Sequence, residues 1–254
     1  MYSVDFAFMT HPGVIRRKNE DNLICVRDYL PLAHDKTSDP VEGTVAIDAP
    51  LLFGVFDGMG GEEHGEAASY LAAKIAAGWK PADEKSLDLL CREINRTICA
   101  YVTEHHIRSS GSTASLLLFD PHGVICCHIG DSRIYRYREG IIEQLTKDDV
   151  WPSYSGRKAP LLQCLGIPEN EMQIRPHIDS YSVSTNDIYV ICSDGLSDKI
   201  GQDRIAQVLS GDLRITNQIQ ALMDLALQED GSDNITILIN RVSSLPATRS
   251  PAST

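Results

Sequence analysis

This sequence of 254 residues has no long hydrophobic run and no excess of basic residues. None of its apolar stretches approaches the roughly 18 residues that a membrane-spanning helix needs, so we expect no membrane partner. Its 35 acidic residues outnumber the 23 basic ones and give a formal net charge of −12. Nucleic-acid-binding proteins use basic patches to contact phosphates, so this charge disfavours a nucleic-acid partner. It is compatible with bound metal cations.

The sequence also lacks the cysteine spacing that is typical of disulfide-rich domains or zinc sites. Its seven cysteines are an odd number and include no C-x-x-C pair. This pattern predicts reduced thiols in a cytoplasmic protein. We expect most of these side chains to be small core residues.

The composition is that of a globular domain, with 43% hydrophobic and 23% charged residues. Residues 29–50 are rich in Asp, Pro and small polar residues and show no periodicity, which predicts a long surface loop. Residues 243–254 read SSLPATRSPAST, which is typical of a disordered tail. No segment between these two is typical of a linker, so we expect a single domain over residues 1–242.

Helix-like and strand-like patterns are mixed along the chain. Apolar residues at helical spacing predict three helices, at residues 66–79, 87–101 and 215–225. Ser86 is the candidate N-cap of the second helix. Six apolar runs predict strands, at residues 51–56, 115–119, 124–129, 134–137, 188–192 and 235–239. Residues 130–133 read GDSR and suggest a hairpin-like connection. Grouped strands with helices between them favour an α+β fold with antiparallel sheets.

Acidic residues stand at the ends of several of these strands, beside small residues. The five placements are Glu20 with Asp21, Asp57, Asp131, Asp194 and Asp233. One such placement alone is typical of a turn. Five of them bring several carboxylates together if the strands share sheets, and clustered carboxylates need a cation to offset their repulsion. Ligands that are all oxygen atoms favour Mg²⁺ or Mn²⁺ over zinc.

Seven short motifs follow one another in a fixed order, and five of them contain these acids. They read RRKNED at 16–21, FDGMGG at 56–61 with GEAAS at 65–69, GST at 111–113, GDSRIY at 130–135, QLTKD at 144–148, CSDGLSD at 192–198 and DNIT at 233–236. The chain therefore resembles the metal-dependent serine/threonine protein phosphatases of the protein phosphatase 2C type, the PPM family, in their bacterial style. The resemblance extends from about residue 11 to residue 240.

The resemblance implies a fold of two packed antiparallel β-sheets flanked by helices, a four-layer α-β-β-α sandwich. It implies two core Mn²⁺ or Mg²⁺ ions and a weaker third position. Asp57 would bridge the core ions, and Asp131 would belong to the third position. The implied metal ligands are Glu20, Asp57, the carbonyl of Gly58, Asp131, Asp194, Asp198 and Asp233. The implied catalytic residues are Asp57, Arg16 as the phosphate ligand, and Asp21 and Thr113 in supporting roles. Arg17 is the alternative to Arg16.

The implied reaction is hydrolysis of phosphoserine and phosphothreonine in proteins by a metal-activated water. The implied partners are phosphoprotein substrates and a bacterial Ser/Thr kinase or its targets, in the cytoplasm. The sequence is silent on oligomeric state, and a monomer is the default expectation. A catalytically inactive, phosphatase-like binding module is the alternative, although the intact Asp57, Asp194 and Asp233 count against it.

Four departures from the family pattern stand near these motifs. Met59 occupies the place of a histidine that some members use as a general acid, and the nearby His64 more readily fits a surface loop. Asp149 stands where members often have the His of T-x-D-H. Residues 161–166 read LLQCLG and lack the usual Arg, and residues 150–160 predict a shortened flap.

A cysteine-dependent phosphatase is a competing interpretation, because Cys127 and Arg133 fit the pattern C-x5-R. That phosphate-binding loop should open a helix, whose N-terminus binds the phosphate and lowers the thiol pKa. The residues after Arg133 alternate like a strand instead. The pattern therefore favours a core cysteine at position 127.

Overall fold

The computed structural model describes residues 2–59, 64–151, 159–211 and 213–244. The strands in these ranges are β1 (Tyr2–His11), β2 (Asn22–Val26), β3 (Asp28–Tyr29), β4 (Val41–Ile47), β5 (Leu51–Phe56), β6 (Gly58–Met59), β7 (Gly111–Ser112), β8 (Ala114–Asp120), β9 (Gly123–Ile129), β10 (Arg133–Arg138), β11 (Ile141–Gln144), β12 (His177–Tyr181), β13 (Ile188–Cys192) and β14 (Ile235–Ser244). The helices are α1 (Gly65–Gly78), α2 (Glu84–Glu104), α3 (Asp194–Ser197), α4 (Gln202–Leu209) and α5 (Ile215–Glu229).

Two large antiparallel sheets form the centre of the described part of the chain. The first sheet has the strand order β11-β10-β13-β14-β1-β4, and the second has the order β12-β9-β8-β5-β2-β3. A short ribbon of β6 and β7 pairs Gly58 with Ser112. The ribbon continues directly from β5 into β6 and from β7 into β8, so it lies at one end of the second sheet.

Apolar side chains fill three layers of core. Between the sheets, Phe119 packs edge-to-face on Phe53 and on Tyr189, with ring centroids 5.7 and 5.4 Å apart. Helices α1 and α2 cover the outer face of the second sheet. The remaining helices cover the outer face of the first sheet. The predicted four-layer α-β-β-α fold is confirmed.

The N-cap of helix α2 lies three residues before the predicted cap. This N-cap is Asp83, whose carboxylate accepts the Ser86 backbone N–H at 2.8 Å. The Ser86 hydroxyl in turn accepts the Asp83 N–H at 2.9 Å. The prediction of Ser86 as N-cap was wrong because Asp and Ser are both good caps, and this reciprocal capping box puts Ser86 at the third helical position.

The loop predicted over residues 29–50 contains a strand. Strand β4 pairs with β1 along the edge of the first sheet. Most of its residues are exposed or half-buried, so they carry little of the apolar signal on which strand prediction depends. The prediction of a long irregular loop was therefore wrong for Val41–Ile47.

The connection between β9 and β10 is not a hairpin. Strand β9 belongs to the second sheet and β10 to the first, so residues 130–132 carry the chain across the sandwich. Gly130 adopts φ +104°, a conformation that favours glycine. The local sequence is that of a tight turn, whereas the two strands pair with partners distant in sequence. This crossing places Asp131 between the two sheets.

Two other predicted segments lie largely outside the described residues. Ser243 and Ser244 belong to β14, so the predicted tail began two residues too early, and its remainder lies beyond that range. Residues 152–158 of the predicted flap also lie outside it, while Val150 and Leu161 at its base form a β-bridge. Among the helices described, none is both long and apolar enough to cross a membrane.

Candidate metal centre

Three carboxylates converge between the ends of the two sheets. Ligand atoms of Asp57, Asp131 and Asp194 all lie within 4.8 Å of one another. Asp57 follows β5 and Asp131 follows β9 in the second sheet, while Asp194 follows β13 of the first and opens α3. Asp131 is 7% exposed and Asp194 is 3% exposed. The convergence expected from strand ends therefore occurs for these three residues.

The cluster has the chemistry of a divalent-cation site. Carboxylates at this separation repel one another strongly unless protons or a cation neutralise them. Their donors are all oxygen atoms, the ligands that Mg²⁺ and Mn²⁺ prefer. Among the described residues, no histidine or cysteine joins the group. The residues present therefore fit a hard divalent metal ion.

Thr113 contacts the chain at Asp57 and next to Asp131. Its hydroxyl oxygen accepts the Asp57 N–H at 3.0 Å, and its own N–H donates to the Asp57 carbonyl at 2.9 Å. The same hydroxyl lies 2.7 Å from the Ser132 hydroxyl, next to Asp131. The geometry gives Thr113 a positioning role.

The predicted ligands Glu20 and Gly58 lie side by side at the start of α1. The Gly58 N–H donates to the Glu20 carbonyl at 3.1 Å. A Cβ on Gly65 would lie 2.7 Å from the Glu20 carboxylate and 3.0 Å from the Gly58 carbonyl oxygen, so a side chain there would displace the Glu20 carboxylate. Burial, followed by the charge of Glu66, raises the pKa of Glu20. A cation at this position would offset the repulsion between Glu20 and Glu66.

Buried polar links position the loop around Glu20. The Asp21 carboxylate accepts the Ser193 hydroxyl at 2.8 Å, and Ser193 directly precedes Asp194. The Asn234 side chain accepts the Glu20 N–H at 2.8 Å. Asp21 thus links this loop to the residue before Asp194, and Asn234 links it to the segment that carries Asp233. Sequence reasoning assigned no role to Asn234, although it stands inside the DNIT motif.

Arg16 and Asp233 contact each other at the mouth of the site. The guanidinium donates to the Asp233 carboxylate at 2.8 Å, and Arg16 remains half exposed. The Asp233 carboxylate is thus paired with an arginine. It lies outside the compact cluster of three carboxylates. Arg17, the alternative phosphate ligand, lines a separate groove with Lys18 and His34.

Asp198 also lies outside the cluster of three carboxylates. It is exposed and lies 3.8 Å from Arg133. That arginine makes closer contacts with Asp148, at 2.6 to 3.0 Å. Asp198 thus faces the same arginine that holds the end of the QLTKD motif.

The structure shows the surroundings of Met59 and of the nearby His64. Met59 lines a cavity of about 500 Å³ together with Cys164. His64 caps α1, and its Nδ1 lies 3.5 Å from the Tyr101 hydroxyl. The His64 ring thus packs on α2.

The structure contradicts the cysteine-phosphatase interpretation. Cys127 is buried in β9, and the residues from Arg133 onward form β10 where a phosphate-binding helix would be needed. Contact with Cys91, whose sulfur lies 3.6 Å away, and burial both raise the pKa of the Cys127 thiol. All seven cysteines are free thiols. A buried thiol of this kind is a core residue and not a nucleophile.

Comparison with known proteins gives a consistent result. A family model described as "Protein phosphatase 2C" matches residues 37–229. The chain is 29% identical to the serine/threonine protein phosphatase PstP of Mycobacterium tuberculosis, over 92% of this chain but only 44% of that protein. It is 25% identical to the serine/threonine phosphatase stp of Listeria monocytogenes, over 91% of this chain and 93% of that protein.

The solved structures agree. The catalytic domain of PstP in complex with two manganese ions superimposes with a TM-score of 0.78 and 27% identity, over 96% of this chain and all of that one. These matches confirm the resemblance seen in the motifs. The chain belongs to the protein phosphatase 2C family.

Proposed function

We propose that this protein hydrolyses phosphoserine and phosphothreonine in proteins with the help of bound Mn²⁺ or Mg²⁺ ions. The observation that carries the proposal is the convergence of Asp57, Asp131 and Asp194, within 4.8 Å, from both sheets of a protein phosphatase 2C fold. The relatives named serine/threonine phosphatases support the substrate class. The acidic cluster disfavours the alternative of an inactive binding module.

Each predicted ligand has a place in this proposal. Asp131 would belong to the third position, whereas Asp57, Asp194 and the adjacent Glu20 with the Gly58 carbonyl would hold the two core ions. Asp233 would join them after exchanging its contact with Arg16, and Asp198 would serve the third position. When bound, the ions supply an activated water and offset the charge on the phosphoryl oxygens.

The chain's own residues bind and orient the substrate. Arg16 is half exposed at the mouth of the site, and a guanidinium can donate two parallel hydrogen bonds to a phosphate. Thr113 and Asp21 hold the backbones that carry Asp57 and Asp194. Such positioning supplies much of the catalysis of phosphoryl transfer, because the protein does little covalent chemistry in that reaction.

The proposal extends to the cellular setting. We propose that residues 2–244 form a single catalytic domain, since both sheets share one core. We propose a cytoplasmic monomer that opposes a bacterial Ser/Thr kinase by acting on that kinase or its targets. The bacterial relatives and the seven free thiols support this setting.

Hydrolysis of p-nitrophenyl phosphate tests the reaction. Metal-stripped protein should be inactive, and Mn²⁺ or Mg²⁺ should restore turnover in the wild type but not in Asp57→Asn. Asp120→Asn is the matched control, because Asp120 also ends a strand and its carboxylate accepts the backbone N–H groups of its own turn. A folded wild type without turnover in either metal would refute the proposal. Phosphoserine and phosphothreonine peptides then test the substrate class.

A further inference from the structure

Asp149 holds the backbone next to a clustered carboxylate. Its N–H donates to the Gly130 carbonyl at 2.7 Å, and its carboxylate accepts the Gly130 N–H at 3.0 Å. Gly130 directly precedes Asp131 and lies in the crossing between the sheets. A Cβ on Gly130 would lie 2.6 Å from the Thr113 methyl group, so the turn is packed tightly against Thr113. Asp149 thus pairs both polar backbone groups of Gly130, the residue before Asp131.

The Asp149 carboxylate is itself anchored from two further segments. His177 of β12 donates through Nε2 to Asp149 Oδ1 at 2.8 Å, and Gln163 donates to Asp149 Oδ2 at 2.9 Å. The Leu162 N–H donates to the Asp149 carbonyl at 2.6 Å. Asp149 is only 7% exposed, so these contacts replace most of its hydration. The carboxylate has little freedom to move.

We propose that Asp149 is a positioning residue that fixes Gly130, and through it the metal-binding carboxylate of Asp131, with His177 and Gln163 as its anchors. The inference rests on the proposed metal-dependent function. Partners that orient metal ligands commonly change metal affinity 10- to 100-fold when they are removed.

Direct measurement of Mn²⁺ binding to metal-stripped protein tests this role. In Asp149→Asn, the new amide N–H faces the N–H groups of Gly130, His177 or Gln163, so the turn should loosen. Isothermal titration should show Mn²⁺ affinity about 10- to 100-fold weaker than in wild type. The KM for p-nitrophenyl phosphate at saturating Mn²⁺ should change little, because Asp149 touches no substrate.

Asp187→Asn is the matched control. Asp187 is buried and paired with Arg138 at 2.6 Å, and it has no contact with Gly130. This variant should lose stability but keep its Mn²⁺ affinity. If Asp149→Asn and Asp187→Asn weaken Mn²⁺ binding equally, the role of Asp149 is merely structural and the proposal is overturned.

The anchors provide a second test if Asp149→Asn fails to fold. His177→Ala and Gln163→Ala each remove one anchor and leave the contacts with Gly130 in place. At least one should weaken Mn²⁺ binding several-fold, and wild-type affinity in both would overturn the proposal. A wild type that binds no Mn²⁺ would instead refute the proposed function, so the two failures are distinguishable.

Discussion

His128 should make the stability of this protein depend on pH. The side chain is 1% exposed in β9, where its Nδ1 lies 3.0 Å from the Ser115 hydroxyl. Its Nε2 is buried and makes no hydrogen bond with the described residues. Burial lowers the pKa of His128 to about 4. Protonation would place an unsolvated charge inside the fold, so the folded protein keeps this imidazole neutral.

The direction and size of the effect follow from the two pKa values. An unfolded chain binds this proton near pH 6.5, well above the pKa of the folded protein. The unfolded state therefore takes up the proton first as the pH falls, and the folded state loses stability between pH 6.5 and about pH 4. The full difference corresponds to about 3 kcal/mol, of which about 2 kcal/mol is lost by pH 5.

Urea unfolding in a chelator at pH 7.5, 6 and 5 measures this loss. The Ser115 hydroxyl donates to the Ser132 carbonyl at 2.7 Å, so it accepts from His128, and the amide of His128→Asn can supply that donor without titrating. The free energy of unfolding of wild type should therefore fall relative to the variant by about 2 kcal/mol between pH 7.5 and 5. His122→Asn, at an exposed turn beside the same strand, should keep the wild-type pH profile. Parallel profiles for wild type and His128→Asn would refute the reasoning.

Three further predictions concern the carboxylate cluster, metal binding and a buried amide of α2. Asp57→Asn should abolish turnover yet stabilise the metal-free protein by about 1–3 kcal/mol in urea, because it relieves repulsion with Asp131 and Asp194; a loss of stability would contradict this. Mn²⁺ at 100 times its dissociation constant should raise the free energy of unfolding by about 2.7 kcal/mol, and a chelator should reverse the gain. Asn95→Ala should lower the free energy of unfolding by about 2–3 kcal/mol, because the buried amide pairs with three backbone groups near residue 166. Asn217→Ala changes an exposed asparagine and is the control. Equal midpoints of thermal unfolding for the two variants would contradict this prediction.

The sequence predicted the central strands closely and the edge strands poorly. Strands β5 and β13 have the predicted bounds because almost every side chain in them is buried, so the sequence is continuously apolar. Strand β4 lies at an edge with most residues exposed, and its sequence resembles that of a loop. No local pattern predicted that the chain crosses from one sheet to the other between β9 and β10, because strand pairing depends on residues distant in sequence.

The site was predictable to the extent that its residues stand at strand ends. Asp57, Asp131 and Asp194 converge because their strands end at the same side of the sandwich. Asp198 and Asp233 were predicted as ligands from the family resemblance, and their side chains contact arginines. The pairing of Asp149 with His177 joins residues from separate segments, and no local pattern indicates it.

The order of strands in the first sheet has a consequence for synthesis on the ribosome. Strand β1 pairs with β4 on one side but with β14 on the other, over ten residue pairs from Tyr2–Ser244 to His11–Ile235. At ribosomal rates, roughly 10–50 s separate the emergence of these two partners. An unpaired strand edge is a template for association with other chains. One edge of β1 is therefore open to other chains during synthesis and is covered by β14 only when the fold is complete.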